Sequence, residues 1–156
     1  IIADNKVPAN PVATTGLIHT MLGAPQHVYN GGLLQAHVRY FDPAGSARDV
    51  PCRAGLPKHV AALVDKVGAD GAHLTLVNTD PVDGHPVLIQ AGSFGEHEFT
   101  EVSVDDGSGA RRLAVNGRHL RVELGPAAQV TLDLGMKRFA HKPSYDLPPC
   151  ESGSAE

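Results

Sequence analysis

Between His73 and Phe139 the chain alternates apolar and polar residues in short runs: HLTLVNTDP, HPVLIQAGSF, EFTEVSV, ARRLAVNG, RHLRVEL and AQVTLDLGMKRF. Little more than Gly, Pro, Asn and Asp separates them. Runs of this length, bounded by turn residues, predict an all-β antiparallel sandwich, Ig-like or jelly-roll-like, rather than an α/β core. A period of two sets the faces. Leu120, Val122 and Leu124 share one face, with His119, Arg121 and Glu123 opposite. Val130, Leu132, Leu134 and Met136 point in, while Thr131 and Asp133 point out. Val87 and Ile89 stand opposite Leu88 and Gln90, so that run carries apolar residues on both faces and reads as central. Asn116-Gly117 is the strongest hairpin signal, a type I′ turn. With looser turns at Asp106–Gly109 and Asp83-Gly84 it predicts a meander of neighbouring strands.

Upstream the pattern is less regular. Residues 1–32 read as an irregular N-terminal segment or linker: VPANP is stiffened by proline, LIHTML suits one or two helical turns, and GAPQHVYNGG is loop. In LLQAHVRYF, Leu34, Ala36, Val38 and Tyr40 face one way and Gln35, His37 and Arg39 the other, as in a half-buried strand. Residues 42–55, rich in Pro, Gly, Ser and Arg, form a long surface loop. LPKHVAALVDKVGADG then predicts the one convincing helix, over 57–67. Pro57 suits a first turn, Val60, Leu63, Val64 and Val67 fall at i, i+3, i+4 and i+7, and Gly68 follows as a cap. The sandwich, this amphipathic helix included, spans 33–140, and 141–156 is a tail without periodicity.

Composition narrows the function. At 156 residues and 42% hydrophobic the chain is the size of one domain with a real core. Only 4% of residues are aromatic and Trp is absent, so the core is expected to be aliphatic. Stacking faces for sugars are correspondingly scarce: the tyrosines are Tyr29, Tyr40 and Tyr145. The net charge of −4 comes with no basic stripe, and Arg111-Arg112 reads as a solvated hairpin edge, so no nucleic-acid partner is expected. No apolar run reaches the ~20 residues of a membrane span, so no membrane partner is expected. The opening IIADNKVPANP, without Met or a basic leader-type segment, reads as a mature product or a piece of something longer. Cys52 and Cys150 lack CxxC neighbours, which argues against a metal or redox role. Paired, they would close a long loop worth about 4–5 kcal/mol on the chain-entropy model; two unpaired thiols are the other reading.

The nine histidines are the strongest hint of chemistry. A metal site needs several of them to converge, normally with a carboxylate. If their strands were neighbours, His37, His119 and Glu123 would meet; His97, between Glu96 and Glu98, completes the candidate metal set. On a strand, however, His97 would point away from both carboxylates. The plainer reading is histidines scattered over the surface. No HxH, HExxH or Cys/His cluster is present, and no GxSxG elbow surrounds Ser93. Glu96, Glu98, Glu101, Asp105 and Asp106 read as solvated edge and turn carboxylates rather than a glycosidase pair. For a bound ligand the candidates are Tyr40, Arg39 and Arg121.

The order LVN…P…VLIQAG.F.EH.F..V…VNGRHLRVELGP.A.VTLDL resembles the C-terminal β-sandwich domain that follows the catalytic domain of many bacterial glycoside hydrolases. Val77-Asn78, Val87 to Gln90 and Leu124-Gly125-Pro126 carry the resemblance, over His73 to Met136. It implies a non-catalytic accessory or subunit-interface domain of a larger carbohydrate-active enzyme. The implied partners are a catalytic domain or subunit or a further copy of the chain, with carbohydrate as a ligand. It supplies no catalytic residues, and no cofactor is expected. The alternative is a small stand-alone metalloenzyme with a divalent metal on the polar sheet face, acting on polysaccharide. A free carbohydrate-binding module would need Tyr29, Tyr40 or Tyr145 on a flat exposed face.

Overall fold

The alternating runs fold as strands. A computed structural model describes residues 15–24, 35–44 and 52–148. They form helix α1 (Thr15–Leu22) and strands β1 (Val38–Asp42), β2 (Arg53–Ala54), β3 (Val60–Gly68), β4 (Gly71–Asn78) and β5 (His85–Ala91). Strands β6 (Glu98–Asp105), β7 (Arg111–Gly117), β8 (His119–Leu124) and β9 (Gln129–Lys137) follow. One antiparallel sheet has the order β2-β1-β5-β8 and the other β3-β4-β9-β6-β7. The described residues fold as an all-β sandwich with one short helix.

Its core is filled from the inward positions of both sheets: Val38 and Tyr40, Leu74 and Leu76, Val87 and Ile89, Phe99 and Val102, Leu132 and Leu134 are all buried. Each such aliphatic side chain contributes about 1.5–3 kcal/mol by leaving water. Burial alternates along β4, β8 and β9, which places the inward sets of the β8 and β9 runs as the period of two predicts. The β5 run, apolar on both faces, lies between β1 and β8.

The segment predicted as a helix over 57–67 is instead mostly strand. β3 pairs with β4 from Val60↔Asn78 to Gly68↔Gly71, closing through Ala69 and Asp70. A bulge between Val64 and Lys66 shifts its phase, so Val60, Ala62 and Val64 point inward, and beyond the bulge Val67, paired with buried Ala72, shares that face while staying 44% exposed. That spacing of i, i+2, i+4 and i+7 coincides with a helical stripe at all but one position. Three of the four residues are β-branched valines, which favour extended backbone. Gly68 closes a hairpin rather than a helix. Gly71 lets β4 start hard against β9, since a Cβ there would lie 2.2 Å from Leu134 O. The short helix is α1, which packs on β3 and, with the turn after it, adds Leu22 and Ala24 to the core.

The connections also depart from a meander. β3–β4 and β6–β7 are hairpins, but the chain changes sheet between β2 and β3, β4 and β5, β5 and β6, β7 and β8, and β8 and β9. Asp83-Gly84 and Asn116-Gly117 are therefore corners. Asn116 has the left-handed backbone expected of it, at φ 47, but the turn leads to the opposite sheet. Gly117 still pairs with Phe99 of β6, while the next carbonyl, Arg118 O, accepts from Ala91 N at 2.8 Å. Asn78 holds two corners together. Its Nδ2 donates to Asp83 O at 2.8 Å and Gly125 O at 2.9 Å, and its Oδ1 accepts from Asp80 N at 2.9 Å.

Candidate functional site

Buried polar side chains gather where β1 begins and β5 ends. His37 directly precedes β1, Gln90 lies in β5, and Ser93, Glu96 and His97 lie in the β5–β6 connection; all five are buried. Gly92 N donates to His37 O at 2.8 Å, joining the two segments. Gly92 at φ 83 and Gly95 at φ 65 fold the connection back on itself. The Glu96 carboxylate accepts from Phe94 N at 2.8 Å and lies 3.8 Å from His97 Nε2. His97 Nδ1 accepts from Phe139 N at 3.0 Å, and its ring meets the Phe139 ring edge to face at 4.9 Å. A neutral His97 therefore carries its proton on Nε2, toward Glu96. Burial holds the His97 imidazole below its ordinary value; Glu96 opposes that shift, and Arg138 and His37 add to it. Sequence alternation separates His97 from Glu96, but β6 begins only at Glu98, so the pair stands on a turn.

The same end of β1 caps helix α1. Tyr40 OH donates to Met21 O at 2.6 Å, His37 N donates to Leu22 O at 3.0 Å, and His37 Nδ1 lies 2.8 Å from Gly23 O. Carbonyls left without partners at a helix C-terminus are thus met by one strand. Burial pushes the Tyr40 phenol well up, so it remains a donor.

The candidate metal set is not assembled. β5 separates β1 from β8, so His37 and His119 are not neighbours. His119 Nε2 lies 3.2 Å from Gln90 Oε1, and burial, then Arg118, lowers its imidazole. Glu123 accepts from Arg121 Nε at 2.6 Å on an exposed stretch of β8. His97 is enclosed in its turn, and His37 faces backbone carbonyls. Among the described residues, no group of three or more His, Cys, Asp or Glu is placed to hold a metal ion. Histidines instead meet carboxylates at separate places: His73 with Asp65, His85 with Asp80, and His141 with Glu98. His73–Asp65 joins β4 to β3, His85 at the start of β5 meets Asp80 in the connection before it, and His141 reaches Glu98 from beyond β9.

Of the ligand candidates, Tyr40 is buried and presents no stacking face. Arg39 forms a row with Gln90 and His119 across β1, β5 and β8. It donates to Ser93 O at 3.2 Å and lies 5.0 Å over the Phe41 ring. Arg121 is spent on Glu123. Tyr145 is exposed and meets the Phe94 ring at 5.0 Å with the planes tilted by 60°, while Tyr29 lies outside the described residues. Cys52 is fully buried and disulfide-bonded, and Cys150 lies outside the described residues.

No protein-family model matches the chain, and no curated protein matches it.

What the described surface offers is apolar contact. At one side of the sandwich α1 packs on β3, and Leu17, Ile18, Leu63 and Val67 of these two elements stay exposed, Leu17 by 66%. At the other, strands β7 and β8 flank a groove of about 360 Å³. Leu113, Leu120 and Val122 line it beside the Arg111–Asp106 and Arg121–Glu123 pairs. No helix among the described residues is long and apolar enough to cross a membrane.

Proposed function

We propose that the chain is a non-catalytic β-sandwich, an accessory or subunit-interface domain of a larger carbohydrate-active enzyme, which docks through its α1–β3 side. The observation that carries this reading is the exposure of Leu17, Ile18, Leu63 and Val67 on two elements packed against each other. Large apolar side chains left in water on two adjoining elements are available to a docking partner. The buried Glu96–His97 turn supports the same reading, because its polar atoms tie loops together. The glycoside-hydrolase context rests on the resemblance carried by Val77-Asn78, Val87 to Gln90 and Leu124-Gly125-Pro126.

The test has two arms. The purified chain, incubated with a panel of polysaccharides and aryl glycosides, is expected to release no reducing sugar; turnover of any of them overturns the reading. The chain is also produced together with the catalytic module encoded in frame or beside it. Hydroxyl-radical footprinting is then expected to show Leu17, Ile18 and Leu63 shielded relative to the chain alone. An unchanged footprint, or adjacent coding sequence without such a module, counts against it.

A further inference from the structure

Both nitrogens of the His37 ring face backbone carbonyl oxygens: Nδ1 lies 2.8 Å from Gly23 O and Nε2 lies 3.3 Å from Gly68 O. Gly23 follows α1, and Gly68 ends β3 at its hairpin. A carbonyl only accepts, whereas a neutral imidazole has one N–H and one lone pair. The neutral ring therefore bonds one carbonyl and turns a lone pair on the other. The doubly protonated ring donates to both. We propose that His37 is a proton-operated latch: its second proton completes a clamp from the C-terminus of α1 to the β3–β4 hairpin, and loss of that proton opens one side.

The surroundings make the latch a local one. The His37 backbone is fixed independently of the ring, by Leu22 O and Gly92 N. Gly23, at φ 61, is wedged between Val64, Val67 and the His37 Cβ, so that a side chain there would collide with Val64 Cγ1 at 2.9 Å. The ring thus stays in place while its proton count changes. Of the charged groups, His97 in the β5–β6 connection feels the His37 charge, Glu96 and Arg138 act in turn on His97, and His19, Asp65 and Lys66 line a pocket beside Gly23. Because the extra bond exists only in the protonated form, attachment of α1 tightens as pH falls through the imidazole range.

Hydrogen exchange read by mass spectrometry on residues 15–24 tests the latch, with intrinsic rates corrected and the β6–β7 hairpin as internal reference. Protection of α1 is expected to be about fivefold higher near pH 5.5 than near pH 8, the equilibrium factor of one added hydrogen bond. The dependence should vanish in His37→Gln and persist in His19→Gln and His97→Gln. Protection that is flat with pH, or a dependence that survives His37→Gln, overturns the proposal. Nitrogen-15 NMR of the His37 ring in the unmutated chain gives a reading that needs no variant. It should show both nitrogens protonated at the acidic pH and one at the alkaline, and a lone pair retained at both overturns the latch equally.

Discussion

The Glu96 carboxylate occupies the space that a side chain on Gly92 would need: a Cβ built on Gly92 would lie 2.5 Å from Glu96 Cδ and Oε2. The two residues exclude each other's alternatives, and Gly92 at φ 83 adds a backbone reason for glycine. Gly92→Ala is therefore expected to cost about 2–4 kcal/mol, from left-handed strain plus overpacking. Urea unfolding measures it. Combined with Glu96→Ala, the total should fall short of the sum of the single changes, because removing the carboxylate removes the clash. Strict additivity would show that the two side chains do not compete.

Asn78 should be the most sensitive polar position among the corners. It is 1% exposed and all three of its side-chain hydrogen bonds go to backbone groups of connecting segments. Asn78→Ala leaves two carbonyls and one N–H without their partner, and we expect a loss of about 2–4 kcal/mol. Asn78→Asp should cost no less, since a carboxylate oxygen would then face Asp83 O and Gly125 O. A midpoint within error of the parent in either variant would remove Asn78 from this role.

The legibility of the chain follows from which physical signal dominates each segment. In β8 and β9 one face is buried and the other solvated, so period-two alternation located Leu120, Val122 and Leu124, and Val130 through Met136, with nothing further needed. In β3 the bulge at Asp65 imitated helical spacing, and pairing with β4 across the hairpin decided the outcome. Asn116-Gly117 revealed a left-handed turn but not its destination, because the same φ serves a hairpin or a corner. The site was legible as residue types only. Glu96 and His97 stood out in the sequence, but their closeness depends on where β6 starts, and the separation of His37 from His119 depends on β5 lying between them.

The two descriptions of β3 differ in one measurable respect. A helical stripe would bury Leu63 and Val64 alike, whereas in the strand Val64 is 5% exposed and Leu63 47%. Val64→Ala is expected to cost about 1–3 kcal/mol and Leu63→Ala less than about 0.5 kcal/mol. Equal costs in chemical denaturation would restore the helix.

Asp80 sets part of the acid limit. The N–H groups of Val82 and Asp83, followed by His85, hold its carboxyl down at about 2. A carboxylate lowered on folding stabilises above the unfolded value, and that contribution is lost as pH falls toward the folded one. The parent should therefore lose stability between roughly pH 4 and pH 2 more steeply than Asp80→Ala. Parallel acid unfolding curves for the two proteins would show that this turn plays no part.

Near neutrality the sign is set by His97 and His119, both lowered on folding and both chiefly by burial. Above the ordinary imidazole value of about 6.5 both are neutral in either state and add no pH dependence. Below it the unfolded chain takes up protons that the folded chain resists, so global stability declines as pH falls from about 7 toward 5. His97→Gln keeps an acceptor for Phe139 N, and His119→Gln keeps a polar partner for Gln90. Each should flatten the decline, and the double variant most. Over the same interval protection of α1 is expected to rise, because the second bond of the proposed His37 latch forms only when both ring nitrogens carry protons. Global unfolding and local exchange measured on one sample must therefore diverge with pH. A common slope would mean that a single titration governs both, and the separation of His97 and His119 from His37 would be wrong.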